Sequence, residues 1–169
     1  MPTLIKDGHV VVDDWTLVDE VTNNDVPSRT IVPLAFACAN AEGLFDGARE
    51  IGVWISGEGE PDQLAPLVSR VPLIAIRFAA MNDGRGLSLA VLLRTRLRYT
   101  GEIRAVGEVH EDVMNYMRRC GFDSYQLPDG HDPTVALRAM RSLSDFYQGS
   151  VIEPRPAFRR VPRGRARAA

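Results

Sequence analysis

Residues 77–126 decide the fold, and they read RFAAMNDGRGLSLAVLLRTRLRYTGEIRAVGEVHEDVMNYMRRCGFDSYQ. An apolar strand leads into a glycine-rich polar turn and an amphipathic helix. A short strand, a second polar turn, a second helix and another strand follow. Strands that alternate with helices in this way predict right-handed crossovers and a mainly parallel sheet. The two polar turns leave the carboxyl ends of successive strands, which is where α/β proteins place their sites.

The same alternation extends on both sides of this stretch. We predict strands at residues 30–37, 52–56, 72–78, 102–106 and 124–127, and helices at residues 41–50, 61–70, 87–97, 110–120 and 133–147. Pro33 cannot donate to a strand ladder, so we place the first of these strands at a sheet edge. Before it, residues 3–12 predict a hairpin around Asp7-Gly8, a dipeptide suited to a type I′ turn. Trp15 is expected to cover one end of the core.

Two sets of side chains alternate along the predicted strands, and only one set is apolar. The apolar set is Val53, Ile55, Ile74, Ile76, Phe78, Ile103, Ala105, Tyr125 and Leu127. The other set is Trp54, Ser56, Ala75, Arg77, Glu102, Arg104, Ser124 and Gln126. Strands covered by helices on both faces would be apolar throughout, so the polar face resembles the lumen side of a barrel. We therefore predict an α/β fold of about five βα units that is partial (β/α)-barrel-like, with an open flavodoxin-like sheet as the alternative. The N-terminal hairpin, a second subunit or a partner would close the polar face.

Length and composition indicate a soluble globular protein. The 169 residues are 45% hydrophobic and 25% charged, and they are predicted to form an N-terminal hairpin and loop (1–29), an α/β domain (30–148) and a basic disordered tail (149–169). No apolar run could span a membrane and no signal peptide is recognisable, so we expect a cytoplasmic protein. Cys38 and Cys120 lie far apart without companion ligands, which argues against an iron–sulfur cluster or a structural zinc. No cofactor is predicted.

Charge is distributed unevenly along the chain. Residues 151–169 contain six arginines and one acid, a charge of +5, so the net charge of −2 leaves −7 for residues 1–150. Because the acidic body supplies no second basic surface, we do not expect nucleic-acid binding. A solubilising or partner-docking role of the tail is preferred.

The turn at residues 82–88 predicts a site for a small anion. Gly84 and Gly86 permit close backbone approach, and Asp83 or Ser88 could cap the following helix, whose first N–H groups attract anions. Arg85 adds a planar fork that can hold sulfite, sulfate, phosphate or carboxylate. The predicted anion-binding residues are Arg77, Asp83, Gly84, Arg85, Gly86, Ser88 and Arg104. The alternative is a capped turn in which the aspartate and the arginine only pair with each other.

Three charged residues are predicted on the strands themselves, namely Arg77, Glu102 and Arg104. Charges inside a sheet are costly unless they are paired. One interpretation is an ion-pair cluster in the lumen, and the other is that the surplus guanidinium binds an anion. Both can hold together.

The turn at residues 107–112 offers weak catalytic candidates. Glu108 and His110 could act as a general acid–base pair, because both residue types can be tuned towards neutral pH. The two acids that follow suit the first turn of a helix. No second histidine is recognisably placed beside His110, since His9 falls in a hairpin and His131 in a loop. We therefore predict no metal site.

Several segments of the chain resemble an uncharacterised bacterial family, the domain of unknown function 934, often described as an oxidoreductase probably involved in sulfite reduction. The segments are DDW near the start, VPLAFA, IGVWIS, NDGRGLS, LLRTR, YTGEIRAVGEV and RRCGFDSYQL, and the resemblance covers residues 4–148. The chain departs from the family pattern at Leu87, where an aromatic residue is usual, at Glu108 for Asp and at Val113 for Gln. The resemblance implies a role in assimilatory sulfur metabolism beside sulfite reductase.

Two functions remain open, and the residues do not decide whether the protein is an enzyme. The first is an accessory protein or enzyme component of assimilatory sulfite reduction that binds a small oxyanion at the carboxyl ends of the strands. The second is a non-catalytic interaction module that docks through its polar sheet face and arginine-rich tail. Sulfite reductase, another sulfur-assimilation protein and a second copy of the chain are the candidate partners.

Overall fold

A computed structural model describes residues 3–23, 25–80, 82–143 and 146–160 of the chain. The strands are β1 Thr3–Lys6, β2 His9–Val11, β3 Thr16–Leu17, β4 Thr30–Pro33, β5 Ile51–Ser56, β6 Leu73–Phe78, β7 Glu102–Gly107 and β8 Ser124–Leu127. The α-helices are α1 Leu34–Ala39, α2 Ala41–Phe45, α3 Arg85–Thr95, α4 Met114–Cys120, α5 Pro133–Met140 and α6 Ala157–Arg160. Short 3-10 helices lie at Pro61–Gln63 and Glu111–Val113.

All eight strands form one curled sheet in the order β2-β1-β8-β7-β6-β5-β4-β3, which makes a half-barrel. Strands β3 to β8 are parallel and follow one another in chain order, whereas β1 pairs antiparallel with both β2 and β8. The predicted α/β fold with a mainly parallel sheet is confirmed. A flavodoxin-like sheet reverses its strand order partway, and no such reversal occurs along these six strands, so that alternative is wrong.

Several sequence predictions about individual elements are wrong. Residues 34–37, predicted as the end of a strand, instead belong to α1, which begins directly after Pro33. Residues 61–70 do not form an α-helix, because the 3-10 helix at Pro61–Gln63 is followed only by turns up to Arg70. The predicted set of five βα units is therefore not confirmed. Strand β4 is not at the edge, since it lies between β3 and β5. Pro33 is tolerated there because it is the last strand residue and lies beyond the two residues that pair with β3.

The two faces of the sheet are covered by different parts of the chain. The α-helices pack on the predicted apolar face, where Ile74, Ile103 and Tyr125 are fully buried. The other face, which is concave, carries a smaller cluster of buried apolar residues. The partly buried Trp15, Leu17 and Trp54 pack against this cluster. Trp15 and Leu17, which follow the hairpin, thus lie against the concave face, whereas the hairpin, one of the three alternatives predicted to close this face, instead extends the sheet beside β8.

The N-terminal hairpin is confirmed, and the backbone conformation of its turn accounts for the residues Asp7 and Gly8 found there. Asp7 and Gly8 both have positive φ, at 50° and 75°, which Asp tolerates and Gly adopts freely.

At the other end of the chain, the Val151 N–H donates to the Arg119 carbonyl at 3.0 Å, so part of the predicted tail contacts α4. Residues 161–169 lie outside the described residues. No helix in the described ranges has the length and apolar character to span a membrane.

Candidate functional site

Arg85 lies where β6 passes into α3, at the carboxyl edge of the sheet. Its Nε and Nη2 donate to the two carboxylate oxygens of Asp83 at 2.8 and 2.9 Å, and its backbone N–H also donates to Asp83. On the outer side, Nη2 lies 2.7 Å from Oε1 of Glu58. These hydrogen bonds lower the pKa of Asp83 and raise the pKa of Arg85. The guanidinium therefore stays charged and is held in one orientation.

The glycines of this turn have separate roles. Gly84 precedes the first residue of α3 with φ of −78° and has open space around it. A Cβ on Gly86 would lie 2.8 Å from the ring of Phe78, so glycine is required for the close approach of α3 to β6. Ser88 is exposed within the helix and does not cap it; the N-cap residue is Gly84, and Asp83, which precedes it, accepts from the Arg85 N–H.

Arg77 points to the concave face and stacks on a tryptophan. Its guanidinium carbon lies 4.1 Å from the centre of the Trp54 ring, and Nη2 is 2.5 Å from Oδ1 of Asp19. The indole N–H of Trp54 donates to the Val18 carbonyl at 2.8 Å. Arg77 is thus held between its own sheet and the N-terminal segment, with its side chain 31% exposed.

Arg104 is the centre of a buried ion-pair cluster on the same face. Its Nε and Nη2 donate to Glu102 at 3.0 and 2.8 Å, and its Nη1 donates to Asp13 at 2.8 Å. Lys6 and the Ser124 hydroxyl also donate to Glu102. Burial raises the pKa of Glu102, but the hydrogen bonds from Lys6 and Ser124 and the positive charge of Arg104 outweigh it and keep that pKa below its ordinary value. The lumen ion-pair interpretation describes this cluster.

The predicted arginines share a region but meet different partners. The register pairs Ala75 with Arg104 and Arg77 with Val106, which places both arginines on the concave face. Each of the two is paired to acids of the N-terminal segment. Arg85 pairs instead with Asp83 and Glu58 beside the start of α3, and within the described ranges it shares no paired acid with Arg77 or Arg104. Their joint binding of an anion stays a prediction.

A second group of side chains lies at the carboxyl ends of β7 and β8, and sequence reasoning missed half of it. Nδ1 of His131 lies 2.8 Å from Oε1 of Glu111, and the rings of His110 and His131 meet edge to face with centroids 5.2 Å apart. Nε2 of His110 lies 3.7 Å from Oε2 of Glu108, so that predicted pair is adjacent but not within hydrogen-bonding distance. Glu111 is not merely serving the helix dipole, because His131 is its side-chain partner.

Two glycine turns bring this group together. Gly107 ends β7 with φ of 88°, and Gly130 has φ of 89° in the turn that follows β8. Because β7 and β8 are parallel neighbours, both turns leave the same edge of the sheet. The signal that could have found His131 is therefore Pro-Asp-Gly-His directly after the last predicted strand.

Comparison with known families is consistent with the sequence segments described above. Residues 52–158 match a family described as "Bacterial protein of unknown function (DUF934)". The chain belongs to this family. No curated protein matches the chain. The DUF934 match spans β5 to α6, so both the Arg85 turn and the histidine group lie inside it.

Proposed function

We propose that this DUF934 protein is an accessory component of assimilatory sulfite reduction that binds a small oxyanion at Arg85. The observation that carries the proposal is the division of the guanidinium between two acids. Asp83 accepts from Nε and Nη2, and Glu58, whose side chain is 65% exposed, is the second carboxylate in contact with Nη2. Exposed ion pairs are weak and exchange readily with other anions.

An oxyanion would take the place of Glu58. Sulfite, sulfate and phosphate each present two oxygens that can bridge Nη1 and Nη2, and Asp83 on the Nε side keeps the guanidinium from rotating away. The first turn of α3 adds N–H groups and the positive end of the helix dipole. The resemblance to proteins described as involved in sulfite reduction favours a sulfur oxyanion over phosphate.

Oxyanion binding should depend on Arg85 and compete with Glu58. We expect sulfite or sulfate to raise the melting temperature of the wild-type protein, since a ligand that binds only the folded state stabilises it. Arg85→Ala should abolish the rise. Glu58→Gln should lower the dissociation constant, because it removes the competing carboxylate. Arg96→Ala, which removes an exposed guanidinium paired with Asp62, is the matched control and should leave the rise unchanged.

Growth of a deletion strain distinguishes the two candidate functions. A strain that lacks the protein should grow poorly on sulfate or sulfite and normally on sulfide, and Arg85→Ala should fail to restore growth. The alternative interaction module is favoured by the exposed rings of Tyr147 and of Phe158, a residue of the predicted tail, which contact each other. Absence of any melting shift, together with restoration of growth by Arg85→Ala, would contradict oxyanion binding and leave that alternative.

A further inference from the structure

Three side chains of metal-binding type converge at the edge where β7 and β8 end. His110, Glu111 and His131 each place one ligand atom within 4.8 Å of the others. We propose that these three residues form a binding site for a divalent transition-metal ion, with Zn²⁺ as the representative ion. The site is separate from Arg85, so either proposal can fail without the other.

The donor set selects the class of metal. Two imidazole nitrogens and one carboxylate oxygen suit Zn²⁺, Co²⁺, Ni²⁺ or Fe²⁺, whereas Mg²⁺ and Ca²⁺ prefer oxygen ligands throughout. A set of three protein ligands also leaves a coordination position for water or a substrate, as in catalytic zinc sites. The chemistry of the donors thus indicates an open site and not a closed structural one.

The distances require only small movements. Metal–ligand bonds of about 2.0–2.2 Å in a tetrahedral site place neighbouring ligand atoms about 3.3–3.6 Å apart. The contact between His131 Nδ1 and Glu111 Oε1, at 2.8 Å, already brings two of the ligand atoms face to face across one hydrogen bond. An ion that replaces this hydrogen bond needs the pair to open slightly and the His110 ring to turn inward.

Burial and charge also fit an ion that enters from solvent. The side chains of His110, Glu111 and His131 are 31%, 21% and 23% exposed, so they are fixed by their surroundings yet accessible. Glu108 adds a second carboxylate, with Oε2 3.7 Å from His110 Nε2. This negative charge compensates the dication and supplies an acceptor for a metal-bound water.

Backbone geometry fixes both halves of the site before any ion binds. Glu111 begins the 3-10 helix that leads into α4, and His131 precedes Asp132, whose carboxylate caps α5 by accepting from the Thr134 N–H at 2.8 Å. The His131 N–H in turn donates to the Pro128 carbonyl. Since the ends of two helices hold the ligands, little chain entropy is lost on binding.

Metal binding can be tested on the full chain without a polyhistidine tag. Titration with Zn²⁺ and with Co²⁺, followed by elemental analysis after gel filtration, is expected to give one ion per chain. Bound Co²⁺ should show the intense visible absorption of a four- or five-coordinate site. His110→Ala, His131→Ala and Glu111→Gln should each weaken binding by more than about 100-fold, because loss of an outer partner alone costs about 10–100-fold.

His9→Ala is the matched control, since it removes the third histidine of the chain from the exposed strand β2. It should retain full stoichiometry and the Co²⁺ spectrum. Unchanged melting temperatures of the metal-free variants would show that the fold is intact, and Glu111→Gln, which keeps size and shape, covers the case in which a histidine variant unfolds. The proposal is overturned if the wild type retains no ion or if His9→Ala loses as much binding as His131→Ala.

Discussion

Replacement of Arg104 by alanine is expected to lower the free energy of unfolding by about 3–5 kcal/mol. The guanidinium is 2% exposed and is shared by Glu102 and Asp13, which are themselves only 10% and 16% exposed. Without it, two carboxylates face each other in a site that water barely reaches, and Lys6 alone cannot compensate both. Urea denaturation followed by circular dichroism measures the loss.

A double replacement separates two contributions to the stability loss, namely the cost of a buried charge left without its partner and the net stabilisation by the ion-pair cluster. Arg104→Met combined with Glu102→Leu removes the two most buried charges of the cluster, and we expect it to recover most of the lost stability, because apolar groups often replace buried ion pairs without penalty. Arg96→Ala, which breaks an exposed pair, should cost at most about 1 kcal/mol. Equal losses for the single and double variants would contradict this account.

Gly107→Ala is the second change with a large expected effect. The residue has φ of 88°, and a Cβ there would lie 2.4 Å from the Phe78 carbonyl oxygen, which also accepts the Glu108 N–H. The left-handed backbone of a non-glycine residue costs about 1–2 kcal/mol, and a displaced hydrogen bond costs about 1 more, so we expect a loss of about 2–3 kcal/mol.

Gly43→Ala provides the comparison for this prediction. Gly43 lies in α2 with open space around its Cα, so alanine there should stabilise the protein by about 0.5–1 kcal/mol. Thermal unfolding of both variants shows directly whether each substitution lowers or raises the stability. If Gly107→Ala were as stable as the wild type, the turn after β7 would not depend on glycine.

Local sequence patterns predicted the parallel part of the sheet, because the hydrophobic periodicity of a strand or a helix is visible in neighbouring residues. They failed at residues 61–70, where proline at the start and apolar residues inside the segment resembled a helix but the chain makes successive turns. They also failed at Pro33, since the position of a strand in the sheet depends on β3, a two-residue strand with no recognisable sequence signal.

Contacts between polar side chains were likewise predicted only where the two residues are close in the sequence. Pairing of Asp83 with Arg85 is visible two residues apart, and it was anticipated as one alternative. The pairing of Arg104 with Asp13 and of His131 with Glu111 was not, because Asp13 is 91 residues from Arg104 and Glu111 is 20 residues from His131. Such contacts follow only from which strands are neighbours, and strand adjacency could have been used for His131.

The covering of the concave face has a practical consequence for optical measurements. The two tryptophans of the chain, Trp15 and Trp54, both pack against the small apolar cluster on that face. Intrinsic indole fluorescence therefore reports on the packing of residues 13–18 against this face of the half-barrel and not on the larger helical layer. A red shift in emission that precedes the loss of helical ellipticity would show that this segment detaches first.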